Sequence, residues 1–202
     1  YVVRDGVDIS SSTIDPNLTR EVITGVRQLR NDGHDVGLVV ATKSIAYLER
    51  GDDPFVSHVA TYYHSHRIVK DLSEHTDDVI KLSIYDFREA SEATYPTMQR
   101  TAPEHQVILA TPNWVDIMNP GVNKGSAVEA VQRDLGVTAD QTAIFGDFLN
   151  DLEMMPMAKW SFAMANGHPN IVKASNYVAP PNTENGVITV LAALLGTRVP
   201  IT

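Results

Sequence analysis

The sequence predicts an α/β protein in two parts: an α+β part with an antiparallel sheet, then a part with a parallel sheet. Before Pro120, two strand-like runs are separated by only a short turn, which is typical of an antiparallel hairpin. After Pro120, helix-like and strand-like segments alternate, as in parallel sheets. The 202 residues are 43% apolar and 20% charged, enough to bury one or two ordinary cores.

The first part begins with a predicted hairpin and a helix. Residues 1–9 form two short strand-like runs around the turn Asp5-Gly6. Asp15-Pro16 supplies an N-cap and a proline at the first helical position. Asn31-Asp32-Gly33 ends this helix. Its expected buried stripe consists of Val22, Ile23, Val26 and Leu29.

Four strands and another helix complete the first part. The helix is predicted over Phe87 to Arg100, although Pro96 lies inside it. The last two strands form a hairpin around Thr111-Pro112-Asn113, and Asp52-Asp53 is interpreted as loop charge. The strands are Val36 to Ala41, Val79 to Tyr85, Gln106 to Ala110 and Trp114 to Met118.

The second part is expected to begin with an amphipathic helix that starts at Lys124. A further helix is predicted over Leu152 to Ala158. The first helix carries its apolar residues at Ala127, Val128, Val131 and Leu135. The strands are Thr142 to Phe145, Ser161 to Met164 and Tyr177 to Val178.

The segment Gly146-Asp147-Phe148-Leu149-Asn150-Asp151 follows a buried strand and precedes the helix-like stretch. Carboxylate oxygens are ligands that Mg²⁺ prefers, and free N–H groups at a helix start attract phosphate. The alternative is that Asp147 and Asn150 only cap a helix. Lys124 opposes the dipole at its helix start, which indicates that an anion needs its ammonium group there. The alternative for Lys124 is a solvated surface lysine. The carboxyl edge of the sheet should bring Lys124 and Asp147 together.

Composition limits the function classes. The net charge of −9 and the absence of a basic run argue against nucleic-acid binding. No cysteine is present, which excludes disulfides and cysteine catalysis. No apolar stretch approaches the length of a membrane span, and the composition is that of a cytoplasmic domain. His58, His64 and His66 are interpreted mainly as surface residues or as residues facing a ligand, with a metal site as the alternative.

Seven short segments of the second part form an ordered set: 121–125, 144–151, 154–155, 162–166, 172–173, 177–178 and 182–187. Such a set, in order over residues 121–187, is far more specific than any one of its members. Together the segments resemble the haloacid dehalogenase (HAD) superfamily of hydrolases, in its Cof-type sugar-phosphatase branch. Gly167 and Asn185 stand where that family usually has Ala and Asp.

The resemblance implies a division into residues 1–14, an edge hairpin and linker; residues 15–118, an α+β cap with an antiparallel sheet; and residues 119–202, the carboxyl-terminal half of a Rossmann-like core. The family's Asp-x-Asp-Gly-Thr motif, which carries the nucleophile, is absent from the chain. We therefore expect a fragment whose nucleophile lies upstream and which is inactive alone. We also expect the incomplete core to be either locally mobile or protected by self-association through the open side of its sheet.

The resemblance implies a Mg²⁺-dependent phosphatase that acts on a small phosphorylated substrate through an aspartyl-phosphate. Asp147 and Asp151 would be the metal residues, with Asp151 either ligating or orienting a water. Lys124 and Asn150 would bind the phosphate, and Lys124 would also pair with the nucleophile. A phosphomutase of the same superfamily and a non-catalytic binding or assembly module are the alternatives.

Overall fold

The computed structural model describes residues 1–197, and their contacts separate into two units. The first, here named the cap unit after the predicted cap with which it overlaps, is Ser11–Gly121 together with Tyr1. The core unit joins Val2–Ser10 to the chain from Val122 onward. No helix among the described residues is long and apolar enough to cross a membrane.

The core unit includes the predicted N-terminal hairpin. Strands β1 (Val2–Arg4) and β2 (Val7–Ser10) pair in antiparallel fashion. Asp5 and Gly6 have φ values of 51° and 79°, the left-handed pair that a tight two-residue hairpin turn requires. Arg4 Nε donates to Asp134 Oδ2 over 2.5 Å, which ties the hairpin to the helix that carries Asp134.

The cap unit contains three helices and six strands. Helix α1 has the predicted Asp15 cap, whose side chain accepts from the Asn17 N–H over 2.7 Å. All four residues of its predicted stripe are buried. In chain order the elements are α1 (Pro16–Asn31), β3 (Val36–Thr42), β4 (Ala46–Leu48), α2 (Asp53–Tyr62), β5 (His66–Ile68), β6 (Val79–Asp86), α3 (Thr94–Thr101), β7 (Gln106–Leu109) and β8 (Trp114–Met118).

The cap sheet has the order β5-β4-β3-β6-β8-β7. All neighbours are antiparallel except β4 and β5, so the expectation of an entirely antiparallel sheet is wrong at that edge. The helix α2 connects β4 to β5, and a helical crossover permits parallel pairing. Asp52, interpreted from the sequence as loop charge, is the N-cap of α2.

One other prediction for the cap differs from the structure. The helix predicted from Phe87 starts only at Thr94, so its first turns were wrong. Pro96 therefore lies in the first helical turn, where a missing N–H costs no helical hydrogen bond. One face of the sheet is covered by α1 and α3, while α2 covers part of the other face through Phe55 and Val59.

The remainder of the core unit alternates helices with a three-stranded parallel sheet in the order β11-β10-β9, which confirms the predicted α/β class. A cluster around Ile144, Ala163 and Ile171 fills one face of the sheet, and Phe162 and Met164 pack on the other. The elements are α4 (Lys124–Leu135), β9 (Ala143–Gly146), β10 (Trp160–Met164), α5 (Pro169–Ala174), β11 (Tyr177–Ala179) and α6 (Gly186–Leu194).

The helix predicted over Leu152 to Ala158 is absent from the structure. The segment instead contains a short 3₁₀ turn at Met155–Met157, and another at Leu149–Asp151 precedes it. Pro156 lacks the N–H that an α-helix needs in its interior, which accounts for this difference.

The predicted apolar stripe of α4 is only partly covered. Val128 and Val131 are half-buried and Leu135 is 49% exposed, whereas Gly125 and Ala130 are the buried positions. The stripe lines an open apolar groove of about 570 Å³ beside Ile144 of β9. Within residues 1–197 no strand pairs with the outer edge of β9, so nothing in this part of the chain closes the groove.

Candidate active site

The candidate site is built on the start of α4 and the loop after β9. Asn123 caps α4, and its side chain accepts the Ser126 N–H over 2.9 Å while Ser126 Oγ accepts the Asn123 N–H over 3.2 Å. This capping box fixes Lys124 as the first helical residue, as the sequence predicted.

Lys124 and Asp151 form an ion pair. Lys124 Nζ donates to Asp151 Oδ1 over 2.5 Å, and the two side chains are 52% and 5% exposed. A side chain with a strong anionic partner is not a freely solvated surface lysine. The ammonium therefore has a fixed place at the carboxyl edge of the core sheet.

The second oxygen of Asp151 binds the loop backbone. Asp151 Oδ2 accepts the N–H of Asp147 over 3.0 Å and that of Phe148 over 3.4 Å. Burial alone would raise the pKa of the Asp151 carboxyl, but the hydrogen bonds from Lys124 and from these two amides outweigh burial and lower it. Asp151 therefore remains an anion that holds both the ammonium and the loop.

Glycines permit the close packing around Asp151. A Cβ at Gly146 would lie 2.8 Å from the Asp151 Cβ, and one at Gly125 would lie 2.3 Å from the backbone oxygen of Glu153. Both distances are too short for a real contact. These two glycines therefore let the β9 loop, the following turn and the start of α4 meet closely enough for the ion pair to form.

Asp147 and Asn150 are exposed, in contrast to Asp151. The exposed carboxylate of Asp147 at the end of β9 has the chemistry of a Mg²⁺ ligand. Both oxygens of Asp151 are engaged by Lys124 and by amides. In the part of the chain that the structure describes, no group of three or more His, Cys, Asp or Glu side chains forms a metal cluster. These residues fit one part of a Mg²⁺ site, and the remaining ligands would have to come from elsewhere.

Gly167 and His168 also support the site, although the sequence analysis did not assign them a role there. The His168 N–H donates to the backbone oxygen of Asp147 over 2.7 Å. A Cβ at Gly167 would lie 2.9 Å from that same oxygen, so a glycine suits this approach. The sequence signal was the departure of Gly167 from the family's usual Ala.

The three histidines weighed as metal residues lie in or near α2 of the cap. The His58 ring stacks on Tyr85 with centroids 4.2 Å apart, and its Nε2 lies 3.1 Å from the Tyr85 hydroxyl. His66 Nδ1 is 2.9 Å from the backbone oxygen of Tyr63. These contacts give His58 and His66 structural partners within the cap.

Comparison with known protein families shows to which family the chain belongs. The model of the haloacid dehalogenase-like hydrolase family matches residues 1–191. The chain belongs to this family. Its fold is also similar to that of the HAD subclass IIB sugar phosphatase BT4131, with a TM-score of 0.67 at 19% identity over 93% of this chain and 69% of that one.

Two further relatives match nearly the whole chain. The 5-amino-6-(5-phospho-D-ribitylamino)uracil phosphatase YbjI of Escherichia coli strain K12 is 27% identical, over 99% of this chain and 73% of that protein. A crystal structure from Eubacterium rectale superposes with a TM-score of 0.85 at 25% identity, over 96% of this chain and 73% of that one. This family member thus shares the α/β fold of its relatives.

Proposed function

We propose that this chain supplies part of the active site of a Mg²⁺-dependent phosphatase that hydrolyses small phosphate monoesters such as sugar phosphates. The observation that carries the proposal is the ion pair of Lys124 with Asp151, beside the exposed carboxylate of Asp147 at the end of β9. The similarity to YbjI, a ribitylaminouracil phosphatase, and to BT4131, a sugar phosphatase, supports a phosphatase with a small phosphorylated substrate.

Lys124 is proposed to neutralise charge. Its ammonium has three N–H donors, and Asp151 takes one of them. The remaining donors are available to a phosphoryl oxygen and to the carboxylate nucleophile, whose mutual repulsion opposes attack. In phosphoryl transfer such positioning and neutralisation provide most of the catalysis.

Asp151 is proposed as the residue that positions Lys124 and the loop, and Asp147 as the carboxylate that holds Mg²⁺. When bound, the metal would neutralise phosphoryl charge as a Lewis acid. Asn150, exposed in the same loop, would donate its side-chain amide to the phosphate. The nucleophilic Asp, which would form the aspartyl-phosphate, is proposed to lie upstream of this chain.

The test compares the 202-residue chain with the protein extended by the coding sequence upstream of Tyr1. With p-nitrophenyl phosphate and Mg²⁺, we expect turnover only from the extended protein. Lys124→Ala and Asp147→Asn should each lower that turnover by about two orders of magnitude, the scale for removing one charge-stabilising group. His64→Ala is the control and should leave the Mg²⁺ dependence unchanged.

Turnover by the 202-residue chain alone, well above buffer, would contradict the assignment of the nucleophile to an upstream segment. An inactive extended protein would contradict the phosphatase proposal. Loss of metal dependence in His64→Ala but not in Asp147→Asn would mean that the metal binds at the cap histidines.

A further inference from the structure

A small pocket lies on the face of the cap sheet that α2 only partly covers. Lys81 and Ser83 project from β6, and Trp114 and Asp116 from the neighbouring β8. Ser83 and Asp116 are direct cross-strand partners, so their side chains lie on one face. With Tyr62 and Tyr63 at the end of α2, these residues line a cavity of about 110 Å³.

The floor of the pocket is a continuous hydrogen-bond chain. Ser83 Oγ donates to Asp116 Oδ1 over 2.5 Å, and the Tyr63 hydroxyl lies 2.9 Å from Ser83 Oγ. Since the single Ser83 proton goes to Asp116, the Tyr63 hydroxyl is the donor in its contact with Ser83. This chain fixes the Asp116 carboxylate in the sheet.

Lys81 completes the floor of the pocket. Its Nζ donates to Asp116 Oδ2 over 3.3 Å and lies 5.4 Å from the centroid of the Tyr63 ring. Burial lowers the pKa of Lys81, but the negative charge of Asp116 and the contact with Tyr63 outweigh burial, so the pKa is raised. The floor therefore presents a cationic donor next to an anionic acceptor, with no net charge.

The walls of the pocket are aromatic. The Tyr62 ring meets the Trp114 ring edge-on with centroids 5.9 Å apart, and Tyr62 is 63% exposed. The volume is below the roughly 300–1,000 Å³ of sites that enclose a whole drug-sized ligand, so it suits one ring-sized group. A neutral floor gives no net attraction to a phosphate, and Asp116 would repel one.

The geometry points to a binding site for a planar, neutral nitrogen heterocycle whose edge presents an N–H beside a C=O. The N–H would donate to Asp116 and the C=O would accept from Lys81. One flat face of the ring would pack against Tyr62 while the ring edge meets Trp114, because the Tyr62 and Trp114 rings are themselves nearly perpendicular. This binding does not depend on the proposed phosphatase activity, and it is measured without turnover.

The test is a titration of the 202-residue chain carrying Trp160→Phe, in which Trp114 is the remaining tryptophan. Uracil is the probe, and ribitol and inorganic phosphate are the comparison ligands. We expect uracil to change Trp114 fluorescence saturably in the millimolar range, with at least tenfold weaker binding of ribitol and phosphate. Loss of one hydrogen-bonding group should weaken uracil binding about tenfold in Asp116→Asn and in Lys81→Met.

Asp140→Asn is the matched control, because Asp140 forms an ion pair of the same 3.3 Å length with Lys159 on the exposed surface of the core. It should bind uracil as the parent does. Tyr62→Ala changes an exposed residue and tests the pocket even if a floor variant fails to fold; it should weaken binding severalfold. Absence of saturable uracil binding, equal binding of ribitol or phosphate, or unchanged affinity in Tyr62→Ala would overturn the assignment.

Discussion

Replacing Asp151 by asparagine tests the central contact of the candidate site. Both oxygens of Asp151 accept from donors, the Lys124 ammonium on one side and two backbone amides on the other. Asparagine has one acceptor and one donor at the same positions, so one side must place a donor against a donor. The substitution therefore removes the charge and leaves one set of donors without its acceptor.

The free-energy cost of Asp151→Asn follows from the burial of the Asp151 side chain. Hydrogen bonds to charged groups contribute about 1.5–3 kcal/mol, and leaving a buried polar group unsatisfied costs about 1–3 kcal/mol. Breaking a fully buried ion pair costs about 3–5 kcal/mol, but the Lys124 side chain is 52% exposed and water replaces part of what it loses. We therefore expect Asp151→Asn to destabilise the core unit by about 2–4 kcal/mol.

The assay is urea unfolding of the chain carrying Trp114→Phe, so that Trp160 in β10 reports on the core unit alone. EDTA is included so that metal binding does not contribute. With a slope of about 2 kcal/mol per molar urea, the midpoint should fall by about 1–2 M. Asp140→Asn, in the exposed pair with Lys159, should cost less than about 1 kcal/mol. If Asp151→Asn shifts the midpoint no more than this control, Asp151 does not hold the loop and Lys124 as argued.

Two more predictions concern packing in the core unit. Gly125→Ala should destabilise the core by about 1–3 kcal/mol in the same assay, since the new Cβ would meet a backbone oxygen at 2.3 Å. Gly25→Ala in α1 is the matched control: its Cβ would come no closer than 3.3 Å to the flexible end of Met98, so it should be neutral or stabilising when cap unfolding is followed through Trp114. If Gly125→Ala stabilised the core unit, the close approach of Gly125 to the Glu153 backbone would be refuted. Hydrogen exchange in Ala143–Gly146 should slow as protein concentration rises, since the outer edge of β9 pairs with no strand within residues 1–197. Strong protection of this strand at every concentration, in a chain shown by light scattering to be monomeric, would contradict self-association through that edge.

Signals from neighbouring residues were sufficient to predict a helix or strand where that element is long or strongly capped. Helix α1 has a side-chain cap, a proline at its start and a regular apolar stripe, and the structure places it where these signals did. The hairpin at Asp5-Gly6 follows from the few residues that tolerate positive φ. Strands β4 and β5 were missed because three residues are too few to show an alternating pattern and no turn such as Asp5-Gly6, which marks the equally short β1, adjoins them.

The sequence by itself determined the succession of an antiparallel and a parallel sheet, the position of Lys124 at a helix start, and the carboxylates after β9. Each depends on neighbouring residues, through periodicity, capping and turn chemistry. Only the tertiary structure decided that Lys124 pairs with Asp151 rather than with solvent. The structure also revealed that Asp151 is buried while Asp147 is exposed, and that Lys81, Ser83 and Asp116 share a pocket. These contacts join residues far apart in the chain. Pairing of neighbouring strands and the close approach of segments at glycines bring these residues together.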